Sequence, residues 1–105
     1  MTTPASRYHA LTVQAVVEET PDTKSLVFAI PPALQQAFHY KPGQFLTLRL
    51  PVGGRWLPRC YSMSSAPGMD ESPRVTIKRV QDGRGSNWVC DKVRVGDSIE
   101  VMAPA

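Results

Sequence analysis

Cysteine is scarce in this chain, which has only Cys60 and Cys90 among its 105 residues. Their separation matches neither a zinc-binding spacing nor the four-cysteine pattern of an iron–sulfur cluster. We therefore expect no metal site here. Two free thiols are the expected state of the pair, and a disulfide between them is the alternative.

Long apolar runs are also missing. The first ten residues lack the apolar stretch of a signal peptide, and no later segment is long and apolar enough to cross a membrane. No Gly-x-Gly-x-x-Gly motif follows a predicted strand, so this chain is not expected to hold a Rossmann-type nucleotide site. These absences predict a cytoplasmic protein without a membrane partner.

Proline and glycine, by contrast, are plentiful, with ten and seven copies. The frequent chain reversals that they produce favour short strands over long helices. The length suits one domain, which we place at residues 8–105 after a flexible N-terminus at 1–7. The net charge of +3 favours an anionic partner, phosphates included.

Alternating apolar residues mark the strands, as where Leu46, Leu48 and Leu50 share one face. The predicted strands are Leu11–Val17, Lys24–Ile30, Gln44–Leu50, Arg59–Ser65, Arg74–Val80 and Ser98–Met102. A short helix is predicted over Asn87–Val93, with Ser86 as its N-cap. Because no βαβ spacing occurs, the pattern predicts an all-β fold. We expect a six-stranded antiparallel Greek-key barrel with one short helix near the C-terminal end, and a sandwich is the alternative.

Two short motifs carry residues suited to a nucleotide ligand. In an extended strand Arg59 and Tyr61 share one face, where a guanidinium matches phosphate oxygens and the ring offers a flat surface. Ser62 points to the other face unless the strand twists or bulges. Taken alone, this run better fits a surface arginine, a half-buried tyrosine and a hydrogen-bonded serine.

The second motif joins Gly83 and Gly85 to Ser86 and Asn87 at the predicted helix start. Glycines allow the backbone to come close to a ligand, and the free N–H groups of a helix start attract an anion such as pyrophosphate. Taken alone, a hairpin turn with a serine N-cap is the better explanation.

The order of these motifs resembles the flavin domain of the ferredoxin–NADP reductase superfamily. Arg-x-Tyr-Ser is followed by a basic strand and then by Gly-x-x-Ser-Asn, and the segment Tyr40–Phe45 is similar to that family's Tyr-x-Pro-Gly-Gln-Phe turn. The resemblance covers nearly the whole chain. It is strongest to reductase components of bacterial multicomponent oxygenases, of the 3-ketosteroid 9α-hydroxylase or phenylacetyl-CoA oxygenase type.

The resemblance implies a role for each motif residue. Arg59 would bind the flavin phosphate, Tyr61 would pack on the isoalloxazine and ribityl, and Ser62 would hydrogen-bond near flavin N5. Backbone contacts, and additional phosphate neutralisation by Lys78 or Arg79, are implied for Ile77, Lys78 and Arg79. A pyrophosphate cradle is implied for Gly83, Gly85, Ser86 and Asn87. This cradle favours FAD over FMN.

In this family the flavin takes a hydride from NADH or NADPH and passes single electrons to a 2Fe-2S cluster and on to an oxygenase. No catalytic residue is expected from this domain, and the NAD(P)-binding and iron–sulfur domains are expected elsewhere in the full-length protein. The fragment alone would be inactive. The alternative is a non-enzymatic basic β-barrel that binds nucleic acid or docks a redox partner, with Lys78, Arg79, Arg84 and Trp88 on its face.

Overall fold

The computed structural model describes residues 7–41, 43–65 and 72–105. Within these ranges the chain forms six strands, one 3-10 helix and one α-helix. In chain order these are β1 (Tyr8–Thr20), β2 (Thr23–Ala29), the 3-10 helix (Pro32–Leu34), β3 (Phe45–Val52), β4 (Arg55–Ser62), β5 (Arg74–Lys78), α1 (Arg84–Lys92) and β6 (Ser98–Met102). Of the predicted flexible N-terminus, residues 1–6 lie outside the described residues, as does Pro42 of the Tyr40–Phe45 motif.

The six strands pair antiparallel in one sheet, in the order β4-β3-β6-β1-β2-β5. Beyond the end of β4, an isolated antiparallel bridge joins Met63 to Val75 of β5, the strand at the opposite edge of the sheet. The sheet therefore curls into a barrel-like form without a continuous ladder to close it. This arrangement confirms the predicted six-stranded antiparallel barrel with one short helix.

The core fills the inside of the curled sheet. Leu46, Leu48 and Leu50 of β3 are fully buried, because every second residue of a strand faces the same side. The same core contains Leu11, Val13, Leu26, Phe28, Val75, Ile77, Ile99 and Val101 of the strands, Val89 of α1, and Val93 immediately after α1. α1 packs against β3 and β5. In the described ranges no helix combines the length and apolar character needed to span a membrane.

The fourth strand is displaced from its predicted position. It was predicted at Arg59–Ser65, but in the structure it runs from Arg55 to Ser62. Gly53 and Gly54, with φ of 61° and 75°, form the tight turn before it, a conformation that glycine adopts without strain. Pro58 is tolerated because β4 is an edge strand, where a missing N–H need not interrupt a ladder. The prediction was wrong because proline and glycine alone indicated a connecting loop.

The helix also begins earlier than predicted. Gly83, not Ser86, is the N-cap of α1, so the predicted Asn87–Val93 lacks the first turn. Ser86 lies inside that turn, where its Oγ accepts a hydrogen bond from the Val80 amide at 3.1 Å. The prediction was wrong because the poor helix propensity of glycine argued against a helix that includes Gly85.

Candidate functional site

Arg59 and Tyr61 lie on the same face of β4, as predicted. Their cross-strand partners are Leu48 and Leu46, and directly paired residues of antiparallel strands point to the same side of the sheet. Tyr61 is half-buried and packs against the core, whereas Arg59 is exposed. The pair therefore lies where the core side of β4 meets solvent.

Ser62 alternates to the other face of β4, together with Cys60, and both side chains are exposed. The Sγ of Cys60 lies 3.3 Å from the Oγ1 of Thr47. Cys60 and the buried Cys90 are both free thiols, as expected. The Ser62 side chain is therefore on the opposite face of β4 from the Tyr61 ring, and its contact with a flavin ring stays a prediction.

The Tyr61 phenol has a perturbed acidity. Burial raises its pKa above the ordinary value of 10.0, the neighbouring Arg59 guanidinium lowers it by a smaller amount, and Cys90 adds a further small increase. The phenol thus keeps its proton at neutral pH. It presents a hydroxyl donor beside a permanent positive charge.

The segment between β5 and α1 is held by side chains of the helix. Ser86 Oγ accepts the Val80 amide and donates to the Gly83 carbonyl at 3.4 Å. Asn87 Nδ2 donates to the carbonyls of Val80 and Gly83, at 3.1 and 2.7 Å. The first helical hydrogen bond runs from the Asn87 amide to the Gly83 carbonyl, at 3.0 Å. The amides that precede Asn87 in the helix have no helical acceptor and suit an anion.

Arg79 is turned toward α1. Its Nη1 donates to Asn87 Oδ1 and its Nη2 to Asp91 Oδ1, each at 2.7 Å. The hydrogen bond between Arg79 and Asp91 raises the pKa of the guanidinium and lowers the pKa of the carboxyl. The Arg79 amide is also engaged, with the Asp22 carbonyl at 2.6 Å. Both the side chain and the backbone amide of Arg79 therefore form hydrogen bonds to other residues of the protein.

At two glycines near the helix start, a side chain would come into close contact with its neighbours. A Cβ on Gly85 would lie 3.1 Å from Arg59 Cγ and 3.4 Å from a methyl group of Leu50. A Cβ on Gly83 would lie 2.6 Å from Ser86 Oγ and 3.0 Å from the Val80 carbonyl oxygen. The Arg59 side chain thus runs directly against the start of α1. A larger residue at position 85 would therefore require the Arg59 side chain to shift by a few tenths of an ångström.

These groups surround a cavity of about 280 Å³ between β4, β5 and the start of α1. Its lining consists of Arg59, Tyr61, Lys78, Val80, Gly83, Gly85 and Ser86. None of the ion pairs among the described residues involves Arg59 or Lys78. The cavity therefore combines the positive charges of Arg59 and Lys78 with the Tyr61 ring and the start of α1. Together these groups suit an anionic aromatic ligand.

Six of the ten predicted cofactor-binding residues thus meet at one cavity. The other four do not line it: Ser62, Ile77, Arg79 and Asn87. Ile77 is fully buried in the core, while Arg79 and Asn87 bind each other. Sequence reasoning missed Val80, a cavity residue whose surface is 58% exposed. The feature that could have indicated Val80 is its place as an apolar residue that follows Lys78 and Arg79, immediately before the turn.

The four residues named for the alternative basic face have different surroundings in the structure. Arg79 is engaged with α1, and Trp88 packs partly buried against the core. Lys78 lines the cavity, and the side chain of Arg84, the first residue of α1, reaches the β3–β4 turn, where its Nη2 lies 2.6 Å from where a Cβ on Gly53 would lie.

Two solved structures of reductases share this fold. The ferredoxin reductase of carbazole 1,9a-dioxygenase is 27% identical, with a TM-score of 0.72, and the match covers 99% of this chain and 30% of that chain. A ferredoxin NADP+ reductase from Neisseria gonorrhoeae, with bound FAD and NADP, is 22% identical with a TM-score of 0.79. That match covers 96% of this chain and 39% of the other, and it supports the fold alone.

Relatives in sequence belong to oxygenase systems. The ferredoxin reductase component of 3-ketosteroid-9-alpha-monooxygenase from Rhodococcus rhodochrous is 54% identical over 101 residues, which is 95% of this chain and 29% of that protein. One component of the 1,2-phenylacetyl-CoA epoxidase from Escherichia coli K12 is 40% identical over 99 residues, which is 92% of this chain and 27% of that protein. The chain thus spans less than a third of the length of these relatives.

The match to a family model leads to the same assignment as the ordered motifs. A model described as oxidoreductase FAD-binding domain matches residues 10–105. Because this match covers nearly the whole chain, the chain belongs to the oxidoreductase FAD-binding domain family, within the ferredoxin reductase superfamily.

Proposed function

We propose that this chain binds FAD and forms the flavin domain of an NAD(P)H-dependent reductase that delivers electrons to an oxygenase. One observation carries the proposal: a single cavity brings Arg59 and Lys78 together with the Tyr61 ring and the glycine-lined start of α1. The name of the Rhodococcus rhodochrous relative, a ferredoxin reductase component of a monooxygenase, gives the same direction.

The residues of the cavity fit the chemistry of a flavin nucleotide. Phosphate oxygens match guanidinium and ammonium donors and the free amides of a helix start. The Tyr61 ring offers a flat surface for a planar heterocycle. Cavities that enclose a whole drug-sized ligand measure roughly 300–1,000 Å³, so the 280 Å³ here would hold only part of FAD.

Within this proposal the chain binds and orients the cofactor. FAD supplies hydride and single-electron chemistry when bound. Arg59 and Lys78 would hold phosphate, Gly83, Gly85 and Ser86 would admit it to the start of α1, and Tyr61 would support the ring. A contact from Ser62 to the ring is proposed on the family resemblance alone.

The remaining activities belong to other parts of a longer protein. We assign residues 8–105 to the FAD-binding barrel and propose that separate domains bind NAD(P)H and carry a 2Fe-2S cluster. The electron-accepting partner would be an oxygenase, as the names of the relatives suggest.

Flavin titration of Arg59→Ala tests the proposed site. The wild-type chain should quench the fluorescence of added FAD, and Arg59→Ala should bind FAD about 10- to 100-fold more weakly, because hydrogen bonds to a charged group contribute about 1.5–3 kcal/mol. Arg55→Ala is the matched control. Arg55 is an exposed arginine on the same face of β4 that does not line the cavity.

Riboflavin, which lacks phosphate, separates the two ends of the site. Its affinity should be unchanged in Arg59→Ala and reduced in Tyr61→Ala. Failure of the wild-type chain to bind FAD, or equal FAD affinities for Arg59→Ala and Arg55→Ala, would overturn the proposal.

A further inference from the structure

Three side chains form a hydrogen-bonded series behind the cavity without lining it. Asp91 Oδ1 accepts a hydrogen bond from Arg79 Nη2, and Arg79 Nη1 donates to Asn87 Oδ1, each at 2.7 Å. The amide nitrogen of Asn87 then donates to the carbonyls of Val80 and Gly83. We name Asp91, Arg79 and Asn87 the α1 clamp.

The α1 clamp decides which way the Asn87 amide group faces. Arg79 has only donors to offer, so it binds the carbonyl end of Asn87 and leaves the NH2 end for the loop carbonyls. With those carbonyls occupied, the loop from Val80 to Gly83 is fixed against α1. The start of α1, whose first amides have no helical acceptor, is thereby held in place where Gly83, Gly85 and Ser86 line the cavity.

We propose that Asp91 is a positioning residue for the anion-binding start of α1 and acts through Arg79 and Asn87 without touching the ligand. This proposal rests on the proposed function, since it concerns the phosphate end of the same FAD site. It differs from the sequence-based expectation that the charge of Arg79 helps to neutralise phosphate directly and that Asn87 lines the cradle.

The two roles for Arg79 predict opposite effects of Asp91→Asn. If Arg79 were a phosphate ligand, removal of the neighbouring negative charge would free its guanidinium and strengthen FAD binding. If the α1 clamp positions the loop, the same substitution replaces the charged acceptor that orients Arg79 by a neutral, weaker one, and FAD binding weakens. Because an exposed ion pair contributes little in water, we expect FAD affinity to fall only about two- to fivefold.

Fluorescence titration with FAD and with riboflavin compares the wild type with Asp91→Asn, Arg79→Gln and the double variant. Both single variants should weaken FAD binding, leave riboflavin affinity unchanged, and combine to no more than the larger single effect. Asp22→Asn is the matched control. The Asp22 carboxylate also acts on the Arg79 charge, but among the described residues its side chain makes no hydrogen bond to that group.

Hydrogen exchange on the chain without flavin provides a measurement independent of FAD. The Val80 amide, which is bonded to Ser86 Oγ, and the Asn87 amide should exchange about two- to fivefold faster in Asp91→Asn than in Asp22→Asn, because the same ion pair stabilises the loop. Tighter FAD binding by Asp91→Asn, or unchanged exchange, overturns the clamp. Faster exchange in a chain that binds no FAD supports the clamp and refutes the proposed function instead.

Discussion

The half-buried phenol of Tyr61 makes the stability of the chain sensitive to alkali. Because burial raises its folded-state pKa above 10.0, the folded chain holds this proton more tightly than the unfolded chain. This contribution to stability is therefore complete below about pH 10 and is lost as pH rises through the folded-state pKa. As pH rises from about 9 to about 12, the free energy of unfolding should accordingly fall less in Tyr61→Phe than in the wild type.

Urea unfolding at a series of alkaline pH values measures the difference, with Tyr8→Phe as the matched control. Tyr8 lies on β1 and stacks on Arg49, away from the cavity. Identical losses of unfolding free energy in wild type and Tyr61→Phe would show that the phenol does not titrate with folding.

The predictable part of the site follows from alternation along a strand. Arg59 and Tyr61 share a face because residues two apart in an extended strand always do. Side-chain partners follow no such rule. The charge of Arg79 indicated a phosphate role, but Asp91 and Asn87 become its partners only when α1 packs beside β5. Hydrogen-bond partners of this kind depend on the tertiary fold.

At the scale of elements, one arginine reinforces the shortest pairing in the sheet. β3 and β6 share only two residue pairs, one of which joins Arg49 to Glu100. The Arg49 guanidinium lies 2.5 Å from a carboxylate oxygen of Glu100 and stacks between the rings of Tyr8 and Trp56, at 4.5 and 4.3 Å. Side chains from β1, β3, β4 and β6 thus meet at one cation.

Arg49→Met should therefore destabilise the chain by about 1–3 kcal/mol, because a surface ion pair contributes about 0.2–1 kcal/mol and each of the two cation–π contacts about 0.5–1 kcal/mol. Methionine keeps the apolar stem and removes the charge. Denaturant unfolding measures the loss, with Arg55→Met, an exposed arginine of β4 in no ion pair among the described residues, as control. Equal stability of the two variants would refute the stacking argument.

The elements themselves were predictable because apolar alternation is strong in β1, β2, β3 and β5. Their bounds were less so, because the tolerance of Pro58 in β4 depends on the strand lying at the sheet edge. Edge position is set by the order of strands in space, which the local sequence does not encode. The first turn of α1 is helical despite the low helix propensity of Gly85.

At the scale of the whole molecule, described residues on both edges join the barrel across its open side. The bridge between Met63 and Val75 is accompanied by hydrogen bonds from the Ser64 amide to the Arg74 carbonyl at 2.8 Å and from the Arg74 amide to Ser65 Oγ at 3.0 Å. The proposed FAD cavity opens between the same two edges, since Tyr61 and Lys78 both line it. Contacts that hold these edges together therefore affect both the fold and the site.

A series of hydroxyl groups strengthens this junction. Thr76 Oγ1 lies 2.8 Å from Ser64 Oγ and 2.8 Å from Ser25 Oγ, and the fully buried Ser25 donates to a carboxylate oxygen of Glu19 at 2.8 Å. Thr76→Val keeps the shape of the side chain but removes two hydrogen bonds. It also leaves Ser25 with one partner fewer.

We expect Thr76→Val to lower the free energy of unfolding by about 1–2 kcal/mol, since each lost hydrogen bond costs about 0.5–1.5 kcal/mol. Thr12→Val, at an exposed position of β1, should cost much less. Hydrogen exchange locates the effect: the Ser64 amide should exchange faster in Thr76→Val than in Thr12→Val, because local opening there separates the edges of the sheet. A loss of stability without faster exchange at Ser64 would mean that Thr76 supports β2 through Ser25 and does not hold the barrel closed.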